Sequence, residues 1–180
     1  MDKKYQIFIS STYSDLKEIR ATAFSAILKM GHIPVGLDLY QVGSDYSTEK
    51  YISKYIDSSQ LIVIIIGDRY GSISNEGKGY VEEEYLYATT KNKKVLIFIN
   101  SRYREVDDPK YQEFVNGLLE KNPVVLWDDK TDFRIKLISS ISQLLTNFPP
   151  ATYWAKTSSI VDNKEDSYLG NLKTLLSNTI

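Results

Sequence analysis

LIVIIIGDRYG, residues 61–71, is the stretch that decides the fold. Six consecutive aliphatic residues, Leu61 to Ile66, lead into Gly67 and a charged turn. The run is far shorter than the roughly 20 residues a membrane crossing takes, and it lacks the alternation of a strand with one wet face. It reads as a strand buried on both sides, and such strands belong to parallel sheets covered by helices on each face. In sheets of that kind ligands bind beyond the carboxyl ends of the strands. Gly67, Asp68, Arg69 and Tyr70, which leave this strand, are therefore the first place to look for chemistry. So is the following helix, which carries Glu82, Glu83 and Glu84.

Working outward, residues 5–10 (YQIFIS) and 94–100 (KVLIFIN) are strands of the same buried type, and 123–127 (PVVLW) is a shorter one. Residues 32–39 (HIPVGLDL) form a second strand, and Pro34 suggests an edge position for it. Between the strands lie helical patterns. Leu16, Ile19, Ala23, Phe24, Ile27 and Leu28 make one apolar stripe over 15–30, with Ser11, Thr12 and Ser14 as candidate N-caps and Gly31 as the stop. Helices are predicted over 48–57, 80–92, 110–121 and 132–147, the last with Phe133, Ile135, Leu137, Ile138, Ile141 and Leu144/Leu145 inward. Polar loops are expected at 41–47, 68–79 and 101–109.

Five strand–helix alternations require right-handed crossovers and a doubly wound parallel sheet. The expected class is α/β with the flavodoxin-like order 2-1-3-4-5, whose switch point falls between the first and third strands. Both of those strands end in polar sequence, FISST and IIGDRYG. The α/β domain is assigned to residues 1–148. Pro149 and Pro150 break the last helix, and 149–180 is a C-terminal extension with an amphipathic helix over 166–177 through Leu169, Leu172, Leu175 and Leu176.

Bulk composition excludes several classes of function. The 180 residues, 42% hydrophobic and 25% charged, suit one domain with a real core. A formal net charge of −1 offers no electrostatic footprint for nucleic acid or an anionic membrane. Fourteen tyrosines are scattered without a basic stripe, which also argues against nucleic-acid stacking. The N-terminus lacks the apolar length of a signal peptide, and a cytoplasmic chain is expected. Cysteine is absent and His32, just before a strand, is the lone histidine, taken as structural. Thiol nucleophiles, zinc–thiolate sites and multi-histidine metal sites are thereby ruled out, and no metal or cofactor is expected. Any catalysis falls to carboxylates, hydroxyls or backbone.

Two stretches carry such groups. In FISSTYSDL, Ser10, Ser11 and Thr12 stand between a strand end and a helix N-terminus, where free N–H groups and the dipole favour a phosphate or ribose. The same hydroxyls also serve commonly as caps and turn formers. In GYVEEEYLYA, a helical wheel puts Val81, Tyr85 and Ala88 on the sheet and Glu83 in solvent, with Glu84 at the edge of the buried stripe. Glu84 can overlook the strand ends or merely complement the dipole. Near a helix N-terminus it is expected to stay ionised. Such a carboxylate can bond ribose hydroxyls, shield positive charge at an anomeric carbon, or attack it. A leaving group that is already cationic, as nicotinamide is in NAD, needs no general acid. Arg69 can pair with a phosphate or with a neighbouring glutamate. Asp38 and Asp45 are read as loop residues with a possible ribose role, and Asp15, Glu18 and Arg20 as local ion pairs and caps.

FISSTYSDLKEIR, GHIPVG, IIIGDRYGS and GYVEEEYLYA, in that order over about residues 5–100, resemble a family of TIR-like domains of unknown function. That family often stands at the N-terminus of NACHT or STAND-type ATPases, antiphage ones among them. It is similar in fold to TIR domains and nucleoside 2-deoxyribosyltransferases, in which a glutamate on the helix after the third strand acts on an N-glycosidic bond. The E-x-x-x-A spacing of Glu84 and Ala88 matches the transferase pattern, whereas the transferase glycine two residues on is Leu86 here. The resemblance implies an N-glycosidase acting on NAD or a related nucleotide, in an antiphage setting, with Glu84 catalytic. Ser10, Ser11, Thr12, Gly67, Arg69, Tyr70, Tyr80 and Glu82 would surround the substrate. It equally admits a non-catalytic signalling module that works through self-association or within a STAND-type ATPase assembly.

Overall fold

In the computed structural model residues 61–66 form the middle strand of a five-stranded parallel sheet. The structure describes residues 3–36 and 48–155, with the backbone alone for 48–51. The chain divides into two units, Lys4–Tyr153 and Met1–Lys3 with Trp154–Ile180; the fold below is that of the first. The loop expected at 41–47 with Asp45, residues 37–39 of the expected second strand with Asp38, and the helix expected at 166–177 lie outside the described residues.

The elements follow in the order β1 (Gln6–Ser11), α1 (Lys17–Lys29), β2 (Ile33–Val35), α2 (Thr48–Ser58), β3 (Leu61–Ile66), α3 (Tyr80–Thr90), β4 (Lys94–Asn100), α4 (Pro109–Lys121), β5 (Val124–Trp127) and α5 (Lys130–Asn147). The sheet order is β2-β1-β3-β4-β5, as the alternation predicts. β2 is an edge strand, where Pro34 removes no ladder donor that another strand needs. A short 3-10 turn at Tyr103–Glu105 sits in the loop predicted at 101–109.

β3 shows why an unbroken aliphatic run is needed. Leu61, Val63 and Ile65 pack on one face with Ile19, Ala23 and Ile27 of α1 and Phe133, Leu137 and Ile141 of α5. Ile62, Ile64 and Ile66 pack on the other with Ile56 of α2, Val81 and Ala88 of α3, and Val115 and Leu118 of α4. The period-2 geometry of a strand divides one run between two cores. Two stripe assignments are corrected. Leu28 and Ile135 point to solvent, 61% and 62% exposed, because each lies past the arc that its helix turns to the sheet.

The helix starts also differ from expectation. α1 begins at Lys17 with Leu16 at the N-cap and no side-chain cap, so Ser11, Thr12 and Ser14 do not cap it. β1 runs on through Ser11, pairing it with Ile65 of β3, and the chain needs 12–16 to turn. α4 and α5 carry conventional caps instead. Asp108 accepts from the N–H groups of Lys110 and Tyr111 at 2.9 and 3.1 Å, and Asp129 from those of Thr131 and Asp132 at 2.7 and 2.9 Å.

Candidate active site

β1 and β3 lie side by side at the switch point, and their carboxyl ends open on a cavity of about 850 Å³. Ser11 and Thr12 from the β1 end, Arg69 and Tyr70 from the β3 end, and Tyr80 and Glu84 from α3 line it. Asp68, at the β3 end, lines it too, as do two acidic residues that sequence reasoning did not single out for the site, Asp107 and Asp108. Their signal was weak because each reads as an ordinary loop or cap residue.

Glu84 is the most constrained of these groups. It is 4% exposed and belongs to the buried stripe of α3 with Val81 and Ala88, in the place that the wheel gave to Tyr85. Spacings of three and four residues along a helix put 81, 84 and 88 on one line. The expectation of a permanently ionised carboxylate fails for the same reason. Burial pushes the Glu84 carboxyl up from 4.5 to about 7, the Ser10 hydroxyl and the Arg20 charge pull it back in part, and Glu83 adds to the rise. Desolvation outweighs the helix dipole here. The Ser10 hydroxyl lies against that carboxyl without a hydrogen bond of regular geometry.

The other predicted site residues fall into two sets. Arg69 is exposed at the cavity wall and Tyr80 half-buried there; the Thr12 hydroxyl is buried without a hydrogen-bond partner. The Tyr70 hydroxyl reaches the wall but is engaged, donating to Glu82 at 2.6 Å and accepting from the Gly79 N–H at 2.9 Å. Burial and the bond to Glu82 raise its pKa. Ser10, Gly67 and Glu82 do not line the cavity. Ser10 is fully buried beneath Glu84. Gly67 accepts a 2.6 Å bond from the Tyr111 hydroxyl at its carbonyl, and a Cβ there would meet the Asp15 carboxylate at 2.6 Å. Glu82 turns to Tyr70 and to Lys78, 3.4 Å away, beside a separate hollow. Glu83, expected in solvent, is half-buried and accepts from the Ser74 hydroxyl.

Arg20, read from the sequence as a local ion-pair or cap residue, is instead buried against the end of β1. A charged residue one turn into a helix reads as surface, yet Arg20 is 2% exposed, and its Nη1 donates to the Ser11 hydroxyl at 2.6 Å and to the Ser11 carbonyl at 3.3 Å. Glu18 reaches across to Lys130 of α5 at 3.0 Å rather than pairing locally. His32 stacks edge-on against Tyr5, and burial lowers its pKa, as befits a structural residue. Among the described residues no group of three or more acidic or histidine side chains gathers to hold a metal ion, and no helix is long and apolar enough to cross a membrane.

Over residues 6–142 the sequence matches the family described as a domain of unknown function, DUF4062. The chain belongs to that family. No curated protein matches this DUF4062 chain. Among solved structures it is similar to a Clostridium botulinum CMP N-glycosidase, at 11% identity and a TM-score of 0.52, covering 75% of this chain and 98% of that one. It also matches TIR domains of the activated Roq1 resistosome, at 15% identity and a TM-score of 0.46, covering 96% and 99%. At such identities the first likeness speaks for the DUF4062 fold, a flavodoxin-like α/β sheet.

Proposed function

We propose that this chain is an N-glycosidase of NAD or a related nucleotide, with Glu84 as its catalytic carboxyl. One observation carries the reading: a carboxyl group 4% exposed, with its pKa brought to about 7, at the wall of a cavity large enough for a nucleotide. Desolvating a carboxyl is costly, and a fold has little reason to bury one beside hydroxyls unless the group is used.

The chemistry follows from its position. A ribose seated over the β1 end would set its anomeric carbon against Glu84, with Ser11 and Thr12 near its hydroxyls or a phosphate, Arg69 on a phosphate, and Tyr80 or Tyr70 on a base. The N-glycosidic bond breaks with its electron pair going to the base. Water adds at the anomeric carbon and gives up its proton, for which a carboxylate with a pKa of about 7 is a suitable acceptor. The negative charge also stabilises the oxocarbenium-like transition state. Nicotinamide leaves NAD as a neutral base and takes no proton; a pyrimidine would need one, and protonated Glu84 can supply it. The CMP N-glycosidase of similar fold makes CMP the natural second substrate to try.

The test is incubation with NAD, CMP and common nucleosides, with and without enforced clustering, reading free base by chromatography. Base release abolished by Glu84→Gln supports the reading. Release that persists in that variant removes the role given to Glu84. No release under any condition would favour a signalling module acting through self-association or a STAND-type ATPase assembly, the setting in which an antiphage effector of this kind would also work.

A further inference from the structure

Ser10 and Ser11 are consecutive on β1, so their side chains leave opposite faces of the sheet. Ser10 follows Phe8 onto the face covered by α3, beneath Glu84. Ser11 follows Ile7 and Ile9 onto the face covered by α1, where Arg20 donates to it. The end of β1 thus separates a buried guanidinium from a buried carboxyl by the thickness of one strand. Gly36, after β2, is shaped to the arrangement: a Cβ there would lie 3.3 Å from Arg20 Nη2 and 3.0 Å from the Ile9 carbonyl.

We propose that Arg20 is a positioning residue, which fixes the Ser11 hydroxyl at the cavity wall from the α1 side and supplies the positive charge that Glu84 faces through the β1 end. This rests on reading Glu84 as the catalytic carboxyl. An arginine suits the task because its guanidinium stays charged when buried, and here Nη1 alone reaches both the hydroxyl and the carbonyl of Ser11. Among the described residues, the charged groups disposed about Glu84 are Arg20 from α1, Glu83 on its own helix, Asp68, Arg69, Asp107 and Asp108 around the cavity, and Glu76 and Lys78 around a second hollow that Glu84 also borders. Of the groups on other elements, the attraction that matters is that of Arg20, and it favours the ionised carboxyl.

The experiment follows the Glu84 carboxyl carbon by NMR titration in the full chain, comparing wild type with Arg20→Met and Arg20→Lys, with thermal melts to establish folding. In Arg20→Met the Glu84 midpoint is expected to rise by roughly one unit, and Arg20→Lys, which keeps the charge, is expected to restore most of it. Where Arg20→Met does not fold, Arg20→Gln keeps donors for Ser11 without the charge and is read in the same way. A folded charge-free variant that titrates Glu84 like the wild type overturns the proposal. So does an Arg20→Lys shift as large as that of the charge-free variants. The titration needs no turnover: a chain inactive on every nucleotide, yet showing the Arg20-dependent shift, would sink the glycosidase reading and leave the Arg20–Glu84 linkage standing.

Discussion

Tyr70 and Glu82, twelve residues apart, share a hydrogen bond of 2.6 Å that ties the end of β3 to the first turn of α3. The same hydroxyl receives the Gly79 N–H, and an antiparallel bridge between Ile73 and Gly79 closes the loop between them. This one phenol therefore organises the segment that forms one side of the Glu84 cavity.

Tyr70→Phe is expected to cost about 1–2 kcal/mol, because it leaves a buried N–H and a half-buried carboxylate without their partner. Hydrogen exchange is the appropriate measurement. The Gly79 amide should exchange faster, while amides of β3 and β4 keep their protection.

Glu84→Gln is expected to stabilise the chain at alkaline pH. Folding raises the Glu84 pKa from 4.5 to about 7. Between those values the folded chain keeps a proton that the unfolded chain has released, so the stability contributed by this group is present below 4.5 and is lost as pH rises through 7. The loss is on the order of 3 kcal/mol. Thermal melts should show the variant several degrees above wild type at pH 8 and nearly level with it at about pH 4. A variant less stable than wild type at both values would contradict the burial argument.

The pH dependence of turnover should report the leaving group. With NAD, whose base departs without a proton, kcat/KM is expected to rise through pH 7 as Glu84 ionises. With a pyrimidine nucleotide, which needs a proton on the base, it is expected to fall over the same range. Initial-rate profiles from pH 5 to 9 separate the two, and a flat profile for both would exclude Glu84 from the chemical step.

Gly67→Ala is expected to destabilise by about 1–3 kcal/mol, the usual cost of overpacking. Its Cβ would stand 2.6 Å from the Asp15 carboxylate and 2.8 Å from Leu16 Cδ2, forcing the start of α1 away from β3. Denaturant unfolding gives the cost. Addition of NAD should protect this variant less than wild type if the glycosidase reading is right, because the β1–α1 corner has moved.

The sheet was legible because aliphatic runs such as 61–66 admit few alternatives: a strand with two covered faces has to sit inside a parallel sheet, and its neighbours follow from the alternation. Caps were less legible. Ser11, Thr12 and Ser14 all look like caps, and only the length of β1 decides that none of them is one. At the site, Glu84 was found but placed too near the surface, since a wheel that scores a carboxylate as polar rotates it outward; its protonation was misjudged in consequence. Arg20 was misread because nothing in KEIRATAF distinguishes a buried arginine from an exposed one. Its environment is made by Ser11 and Gly36, which are distant in sequence and close only in the folded chain.

The parity of β1 has a cost in tolerance to change. Because neighbouring side chains on a strand face opposite ways, deleting or inserting a single residue in that segment would hand the inner hydroxyl to the arginine and the outer one to the glutamate. Each charged group would then meet a serine set for the other side of the sheet, and the aliphatic residues of the strand would change faces with it. Length variants of this strand should therefore survive in steps of two, with odd changes confined to the turn at 12–16.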